Sequence, residues 1–202
     1  MLIEIEGIDG AGKTTQCNLL HDWFIEKKID SLVVKEPGGT DFGNEIKKIL
    51  ISETPRDKKS EMFAFLSSKT QLYSQIISSQ MASGKHIISD RGHGSFLSYH
   101  SITTGLGIKV LSFLLDIATN NTKPSLVILI DTPIDIASER NKEKREKSKF
   151  DNMTKGFFER QRQVLLNLSE ASSNWVVING SLGIDEVQKK IRDTSSIFIK
   201  PE

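Results

Sequence analysis

Short apolar runs recur along the chain and alternate with longer amphipathic segments. The runs are rich in β-branched residues and almost continuously apolar, which is typical of strands buried on both faces of a parallel sheet. We predict five strands, at Leu2–Glu6, Ser31–Lys35, His86–Ser89, Leu126–Ile130 and Trp175–Ile178. The longer segments predict helices at Lys13–Lys28, Asp41–Leu50, Lys58–Ser83, Ile108–Asn120, Pro133–Lys142, Met153–Ser172 and Ile184–Ile197.

The order of these elements predicts a doubly wound α/β fold, a five-stranded parallel sheet with helices on both faces. Ligands of such folds bind at the carboxyl ends of the strands. The length of 202 residues suits a single domain over residues 1–202. No apolar run approaches the ~18 residues needed to cross a bilayer, and residues 1–10 lack the pattern of a signal peptide. We therefore expect a cytoplasmic protein without a membrane partner.

Charge and cysteine content exclude several classes of function. The chain has 27 Lys and Arg against 26 Asp and Glu, a net charge of +1, whereas nucleic-acid binders usually carry a basic excess. Its one cysteine, Cys17, and four scattered histidines provide neither a disulfide nor a structural zinc site. We expect no nucleic-acid partner, so any phosphate-binding site must be local.

The strongest chemical signal directly follows the first predicted strand. Residues 7–14 read GIDGAGKT and fit the phosphate-binding pattern G-x-x-x-x-G-K-[ST]. The glycines let backbone N–H groups converge on phosphate oxygens at the start of the next helix. Lys13 is expected to reach the β- and γ-phosphates, and Thr14 to ligate Mg²⁺. The predicted ATP-binding residues are Gly7, Ile8, Asp9, Gly10, Ala11, Gly12, Lys13, Thr14 and Thr15.

This loop alone does not separate kinases from GTPases or ATP-driven machines. A GTPase would need a guanine-reading N-K-x-D segment, and here Asn141-Lys142 is followed by Glu143-Lys144. The small size favours a kinase that acts on a small acceptor.

Two further motifs follow the second and third predicted strands. Residues 35–40 read KEPGGT, and Asp90-Arg91 ends the third strand. Together with GIDGAGKTT, these motifs resemble the thymidylate kinase family over nearly the whole chain. The resemblance implies a P-loop nucleoside monophosphate kinase, with a short lid at about residues 140–152, that uses ATP and Mg²⁺ to convert dTMP to dTDP. It also suggests a homodimer, with the helices Lys58–Ser83 and Ile108–Asn120 as candidate interface elements.

The resemblance implies roles for individual residues. Asp90 would join Thr14 at the metal, Asp9 would lie beside the transferred phosphoryl group, and Arg91 would hold the acceptor phosphate in a bidentate contact. The predicted catalytic residues are Asp9, Lys13, Arg91, Arg140, Lys144 and Arg145. The predicted substrate-binding residues are Glu36, Pro37, Phe65, Lys69, Arg91, Ser95, Tyr99 and His100.

The basic segment at residues 140–149 has two interpretations. It reads RNKEKREKSK, with six basic and two acidic side chains. By itself it is typical of a solvated helix end, where cations offset the helix dipole. In the context of the resemblance we favour a lid whose cations close over ATP and stabilise charge on the transferring phosphoryl group.

The chain departs from the family pattern where the acceptor base and sugar would bind. Phe65 and Lys69 share one helical face, but lysine stands where the family has arginine and lacks its planar fork. After Arg91 we predict a permissive loop, with Gly92 at the family's aromatic position and His100 at its glutamine position. His100 is either a base contact or a surface histidine, and we favour the latter.

Two alternatives to a dTMP kinase stay open. One is a kinase of the same fold with a shifted acceptor, such as dUMP, a modified pyrimidine nucleotide or a ribonucleotide. The other is a nucleotide-binding protein without turnover.

Overall fold

The centre of the protein is a parallel sheet. The computed structural model describes residues 1–142, 150 and 153–198. Its sheet has the strand order β2-β3-β1-β4-β5, formed by β1 (Leu2–Glu6), β2 (Ser31–Lys35), β3 (His86–Asp90), β4 (Leu126–Asp131) and β5 (Trp175–Asn179). All neighbouring strands pair in parallel. The predicted fold class and strands are confirmed, and β3, β4 and β5 each run one residue further than predicted.

Helices connect these strands. They are α1 (Lys13–Glu26), α2 (Asp41–Ile51), α3 (Lys58–Leu72), α4 (Ser78–Ala82), α5 (His93–Thr104), α6 (Ile108–Ala118), α7 (Ile134–Lys142), α8 (Lys155–Glu170) and α9 (Ile184–Phe198). A π-helical turn at Tyr73–Ile77 joins α3 to α4, so the predicted helix Lys58–Ser83 forms with a wider turn inside it. No helix in the described ranges is long and apolar enough to cross a membrane.

The two faces of β1 meet different surroundings. Ile3 and Ile5 belong to an apolar cluster with Leu20 of α1 and Ile191 of α9. Because successive side chains of a strand point to opposite faces, Glu4 and Glu6 point the other way. Both carboxylates are fully buried, and α5 lies against them. The central strand therefore presents an apolar face to α1 and α9 and an acidic one to α5.

The loop predicted after Arg91 is wrong, because the chain forms helix α5 there. Gly92 precedes this helix and has no side chain to cap it. Instead, Glu4 Oε2 accepts from the His93 N–H at 2.9 Å, and Glu6 Oε1 accepts from the Ser95 N–H at 2.9 Å. A Cβ at Gly92 would lie 2.1 Å from the Glu4 carboxyl carbon. Two strand carboxylates thus cap α5, and the side-chain space at residue 92 is filled by one of them.

Glu4 makes further contacts that stabilise its charge. Its Oε1 lies 2.6 Å from His93 Nδ1 and 3.3 Å from the Tyr73 hydroxyl. Burial alone would raise the pKa of Glu4, but the contacts with His93 and the charge of Lys69 hold that pKa below its ordinary value. The ionised carboxylate is therefore the form that the fold contains.

We expect Glu4→Gln to lower the free energy of unfolding by about 1–3 kcal/mol. The amide keeps the shape but puts an NH2 donor against the donors of His93, which leaves a buried group unpaired. Urea unfolding followed by circular dichroism at pH 7.5 measures the loss. The matched control is Glu45→Gln, which breaks the exposed 2.6 Å pair with Lys48 and should change stability by less than about 0.5 kcal/mol. Equal losses in both variants would contradict the capping role.

Candidate active site

One cavity of about 710 Å³ opens over the carboxyl ends of β1, β2 and β3. The glycine-rich loop, the segment after β2 and the N-terminal half of α5 all line it. This is where ligands of a doubly wound sheet bind.

The glycine-rich loop forms the floor of the cavity. Residues 9–15 line it, whereas Gly7 and Ile8 lie behind the lining, and Ile8 is buried. Gly10 has φ +84°, and a Cβ there would lie 2.0 Å from the Ala137 carbonyl oxygen, so only glycine fits between this loop and α7. Helix α1 begins at Lys13 and directs its N-terminus at this loop. The arrangement suits phosphate oxygens.

Lys13 is held in place before any ligand arrives. Its Nζ donates to the Ile8 carbonyl oxygen at 2.7 Å and lies 3.9 Å from Asp9 Oδ1. Burial and the nearby Arg91 lower the pKa of Lys13 to about 8. A phosphate anion in the cavity would raise that pKa again and hold the amine in its charged form.

Arg91 is oriented by the glycine-rich loop. It adopts a left-handed backbone conformation with φ 78°, and its guanidinium donates to Asp9 and to Ser95 Oγ. Ser95 Oγ in turn donates to Glu6 at 2.5 Å. Arg91 and Ser95 both line the cavity, so one wall of it offers a fixed cation next to Lys13.

The predicted metal pair is in contact. Thr14 Oγ1 donates to Asp90 Oδ2 at 2.5 Å, while Asp90 Oδ1 is buried without a hydrogen-bond partner among the described residues. Burial raises the pKa of Asp90, but Arg91, Lys13 and Lys35 together hold it below its ordinary value, so the carboxylate is ionised. A hydroxyl and an ionised carboxylate with a free oxygen form a donor set that fits Mg²⁺.

Sequence reasoning missed Lys35. Its Nζ lies 2.7 Å from Asp90 Oδ2 and donates to Thr14 Oγ1 at 2.9 Å. The sequence feature that could have identified Lys35 is its position as a basic residue at the end of β2, directly before Glu36. The parallel register that pairs Lys35 with Asp90 brings them together.

Glu36 and Lys69 form a buried pair. Lys69 Nζ lies 2.5 Å from Glu36 Oε2, the side chain of Lys69 is 2% exposed, and its amine stands 5.0 Å from the centre of the Tyr73 ring. Burial raises the pKa of Glu36 despite this partner. Both residues line the cavity with Pro37, and the peptide bond before Pro37 is cis. The predicted contact of Lys69 with a base stays a prediction, since Glu36 holds its amine here.

Aromatic residues surround the far end of the cavity. Phe65 packs against His100 with ring centres 5.1 Å apart and against Tyr99 and Phe150 at 6.1 and 6.0 Å. The Tyr99 hydroxyl donates to Glu61 at 2.7 Å. These rings form an apolar wall that suits a flat heterocycle.

His100 is buried, and the favoured interpretation of it as a surface histidine is wrong. Its side chain is 1% exposed, lines the cavity and lies against the Phe65 and Phe96 rings. Burial lowers the pKa of His100 to about 3, so the ring is neutral. Its Nδ1 has no hydrogen-bond partner within the described ranges. The site therefore offers an unpaired imidazole nitrogen beside the aromatic wall.

The predicted lid residues fall partly within the structure. Arg140 lines the cavity, and its Nη1 donates to the Gly180 carbonyl oxygen at 3.0 Å. Lys144 and Arg145 lie outside the described residues. Apolar side chains that were not predicted, Leu182, Ile184 and Val187, line the cavity near Gly180.

Comparison with known proteins agrees with this geometry. The family model described as thymidylate kinase matches residues 5–191. A thymidylate kinase of Fervidobacterium nodosum is 37% identical over 191 residues, covering 95% of this chain and 96% of that protein. Those of Thermosipho africanus and Neisseria meningitidis (serogroup C) are 37% and 31% identical and cover 95% and 94% of this chain, and 96% and 93% of their own lengths.

The buried neutral His100 predicts a pH dependence of stability. The folded-state pKa lies below the value of 6.5 expected for an unfolded chain, so the unfolded state binds more protons between pH 3 and 6.5. Stability contributed by His100 is thus complete above pH 6.5 and falls as the pH drops, by about 1.4 kcal/mol at pH 5.5. Urea unfolding at pH 7.5, 6.5 and 5.5 measures this loss.

His100→Gln should reduce that acid-induced loss, because the amide does not titrate. The control is His21→Gln on α1, where the ring is only partly buried and bonded to Ser31. This variant should keep the acid dependence of the wild type. An identical loss between pH 7.5 and 5.5 in the wild type and His100→Gln would contradict the assignment.

Proposed function

The chain belongs to the thymidylate kinase family, and from that premise we propose that it transfers the γ-phosphoryl group of MgATP to dTMP, giving dTDP and ADP. We also propose that the protein is a cytoplasmic, single-domain enzyme with nucleotide substrates.

The observation that carries this proposal is the continuity of the cavity. The phosphate-binding loop and the wall of Phe65 and Tyr99 share a single space, which Arg91 also lines. A donor triphosphate on the loop and an acceptor base on the wall would bring two phosphate groups together beside Lys13 and Arg91. A protein that only binds a nucleotide does not need this second compartment.

Phosphoryl transfer between the two nucleotides depends on the alignment of their phosphate groups more than on proton transfer. An oxygen of the acceptor 5′-phosphate forms the new bond to the γ-phosphorus, and the bond to the β,γ-bridging oxygen breaks. The acceptor phosphate is largely dianionic near pH 7, so it needs no general base. Lys13 and the loop N–H groups would hold the β- and γ-phosphates. Arg91, fixed by Asp9 and Ser95, would orient the acceptor phosphate and stabilise the developing charge.

Thr14 and Asp90 are the residues that would hold Mg²⁺. When bound, this ion supplies positive charge to the β- and γ-phosphate oxygens. The residues themselves contribute a hydroxyl and a carboxylate that already share one hydrogen bond at the edge of the phosphate loop.

The base would lie against Phe65, near Tyr99 and His100. A neutral imidazole has one donor and one acceptor nitrogen, and a pyrimidine dione offers an N3–H group between two carbonyl oxygens. The unpaired Nδ1 of His100 can therefore pair with this edge. In the tautomer whose Nδ1 carries no proton, this nitrogen accepts from the N3–H of thymine or uracil, a donor that cytosine lacks.

A second candidate is a shifted acceptor, and Gly92 favours it. Gly92 lines the cavity without a side chain, and the Glu4 carboxylate occupies the space that a Cβ would take. Residue 92 therefore contributes only backbone to the cavity, and no aromatic side chain at this position limits the sugar. Ribonucleotides and dUMP follow as the acceptors to compare with dTMP.

Arg140 and the basic segment retain their proposed role as a lid. The guanidinium of Arg140 reaches Gly180 from the cavity side. If the lid closes over ATP, the guanidinium of Arg140 would lie near the donor phosphates.

We expect dTMP to give the highest kcat/KM in a coupled ADP-release assay over dTMP, dUMP, UMP, dCMP and dAMP. The 5-methyl group of thymine is worth roughly a tenfold preference over dUMP in an apolar pocket.

The Lys13→Met variant should fold normally by circular dichroism and lose at least about 10³-fold in turnover. This loss would show that the measured activity does not come from a contaminating kinase. Equal rates with every acceptor, or none with dTMP, would overturn the proposed substrate.

We also propose that two copies pair through α6 and α3. Val110, Phe113 and Ile117 share one face of α6 and are 49–64% exposed, and Phe63 of α3, a helix that contacts α6, is 54% exposed. Exposed large apolar side chains on two neighbouring helices are typical of a subunit interface.

Phe113→Asp should convert the dimer to a monomer, because it places a charge in this face. Multi-angle light scattering after size exclusion measures the mass. The control is Ile25→Asp, which replaces an equally exposed apolar residue on α1 and should leave the mass unchanged. A wild-type protein that elutes as a monomer at micromolar concentration would contradict the pairing.

A further inference from the structure

The side chain of Lys35 lies at the position that the proposed metal would need. Lys35 ends β2, and the parallel register places it directly beside Asp90 at the end of β3. Its Nζ lies 2.7 Å from Asp90 Oδ2 and 2.9 Å from Thr14 Oγ1, and those two oxygens are 2.5 Å apart. The ammonium therefore binds the Thr14 hydroxyl and one of the two carboxylate oxygens of the pair assigned to Mg²⁺, while Asp90 Oδ1 has no hydrogen-bond partner among the described residues.

An ammonium and a divalent cation compete for these oxygens. Mg²⁺ binds oxygen at about 2.0–2.1 Å and requires lone pairs that point at it, whereas here the Asp90 Oδ2 and Thr14 Oγ1 lone pairs accept from Lys35. Two cations a few ångströms apart also repel strongly where the surroundings are partly buried. Metal and ammonium are thus alternatives at this position.

Lys35 has room to move away. Its side chain is 50% exposed, whereas Asp90 is 2% exposed, so the lysine stem can swing while the carboxylate stays. Lys35 also lines the cavity between the glycine-rich loop and Glu36. A displaced ammonium would remain within reach of phosphate groups bound there.

We propose that Lys35 is the resident cation of the metal position. Without nucleotide, its ammonium neutralises Asp90 and opposes metal binding. When nucleotide phosphates enter, the ammonium transfers to a phosphate oxygen and leaves Asp90 and Thr14 to the metal that arrives with the nucleotide. This inference rests on the proposed function, in which Thr14 and Asp90 hold the metal.

The proposal predicts a coupling between metal and nucleotide that depends on Lys35. Mn²⁺ serves as the probe, and electron paramagnetic resonance measures free Mn²⁺ with and without saturating ADP. Without ADP, Lys35→Met should bind Mn²⁺ about tenfold more tightly than the wild type, because a charge-assisted hydrogen bond no longer competes. With ADP this difference should shrink to less than about threefold, so ADP strengthens Mn²⁺ binding more in the wild type than in the variant.

Matched variants keep the result interpretable. Lys48→Met removes an exposed lysine from α2 and should behave as the wild type. Lys35→Arg restores the cation and should return Mn²⁺ affinity toward the wild-type value, and Asp90→Asn should weaken Mn²⁺ binding with ADP. Circular dichroism checks the fold of each variant, and Lys35→Gln repeats the measurement if Lys35→Met is unstable.

The outcomes separate the two proposals. Equal Mn²⁺ affinity of the wild type and Lys35→Met without ADP, together with loss in Asp90→Asn, would overturn the role of Lys35 and leave the metal site intact. Mn²⁺ binding with ADP that is unchanged in Asp90→Asn would overturn the metal assignment itself.

Discussion

Two carboxylates on the central strand hold the helix on which the acceptor side is built. Glu4 and Glu6 of β1 accept the first N–H groups of α5, and α5 carries Ser95, Tyr99 and His100 into the cavity. The same strand leads directly into the phosphate-binding loop. Donor and acceptor sides are therefore both anchored to β1, and their separation depends on one short, fully buried segment.

Ion pairing at the carboxyl ends of the strands explains how several ionisable side chains lie close together in the site. Asp9 pairs with Arg91, Asp90 with Lys35, and Glu36 with Lys69. Burying an unpaired charge is costly, so each cation here has a carboxylate partner. When phosphates enter, they offer new anionic partners to the same cations. The site thus replaces one set of ion pairs with another, which favours ligand-linked rearrangement at Lys35.

Sequence patterns predicted most of the fold, but they predicted a loop where α5 forms. Strand positions followed from β-branched apolar runs, and the phosphate loop followed from its glycines. Residues 92–94 read GHG and offer two glycines and no Ser, Thr, Asp or Asn to cap a helix, which is typical of a loop. The caps come from Glu4 and Glu6, 89 residues earlier in the chain. The same lack of long-range information led to His100 being assigned to the surface.

The sequence by itself determined the phosphate-binding loop, because all of its N–H donors lie in consecutive residues and need only the local turn. It also determined the fold class, since apolar periodicity is a local property of each segment. The tertiary structure alone decided the partners of Lys69 and Lys35, the burial of His100 and the start of α5. These depend on parallel register and on contacts between residues 21 to 89 positions apart, which no local pattern records.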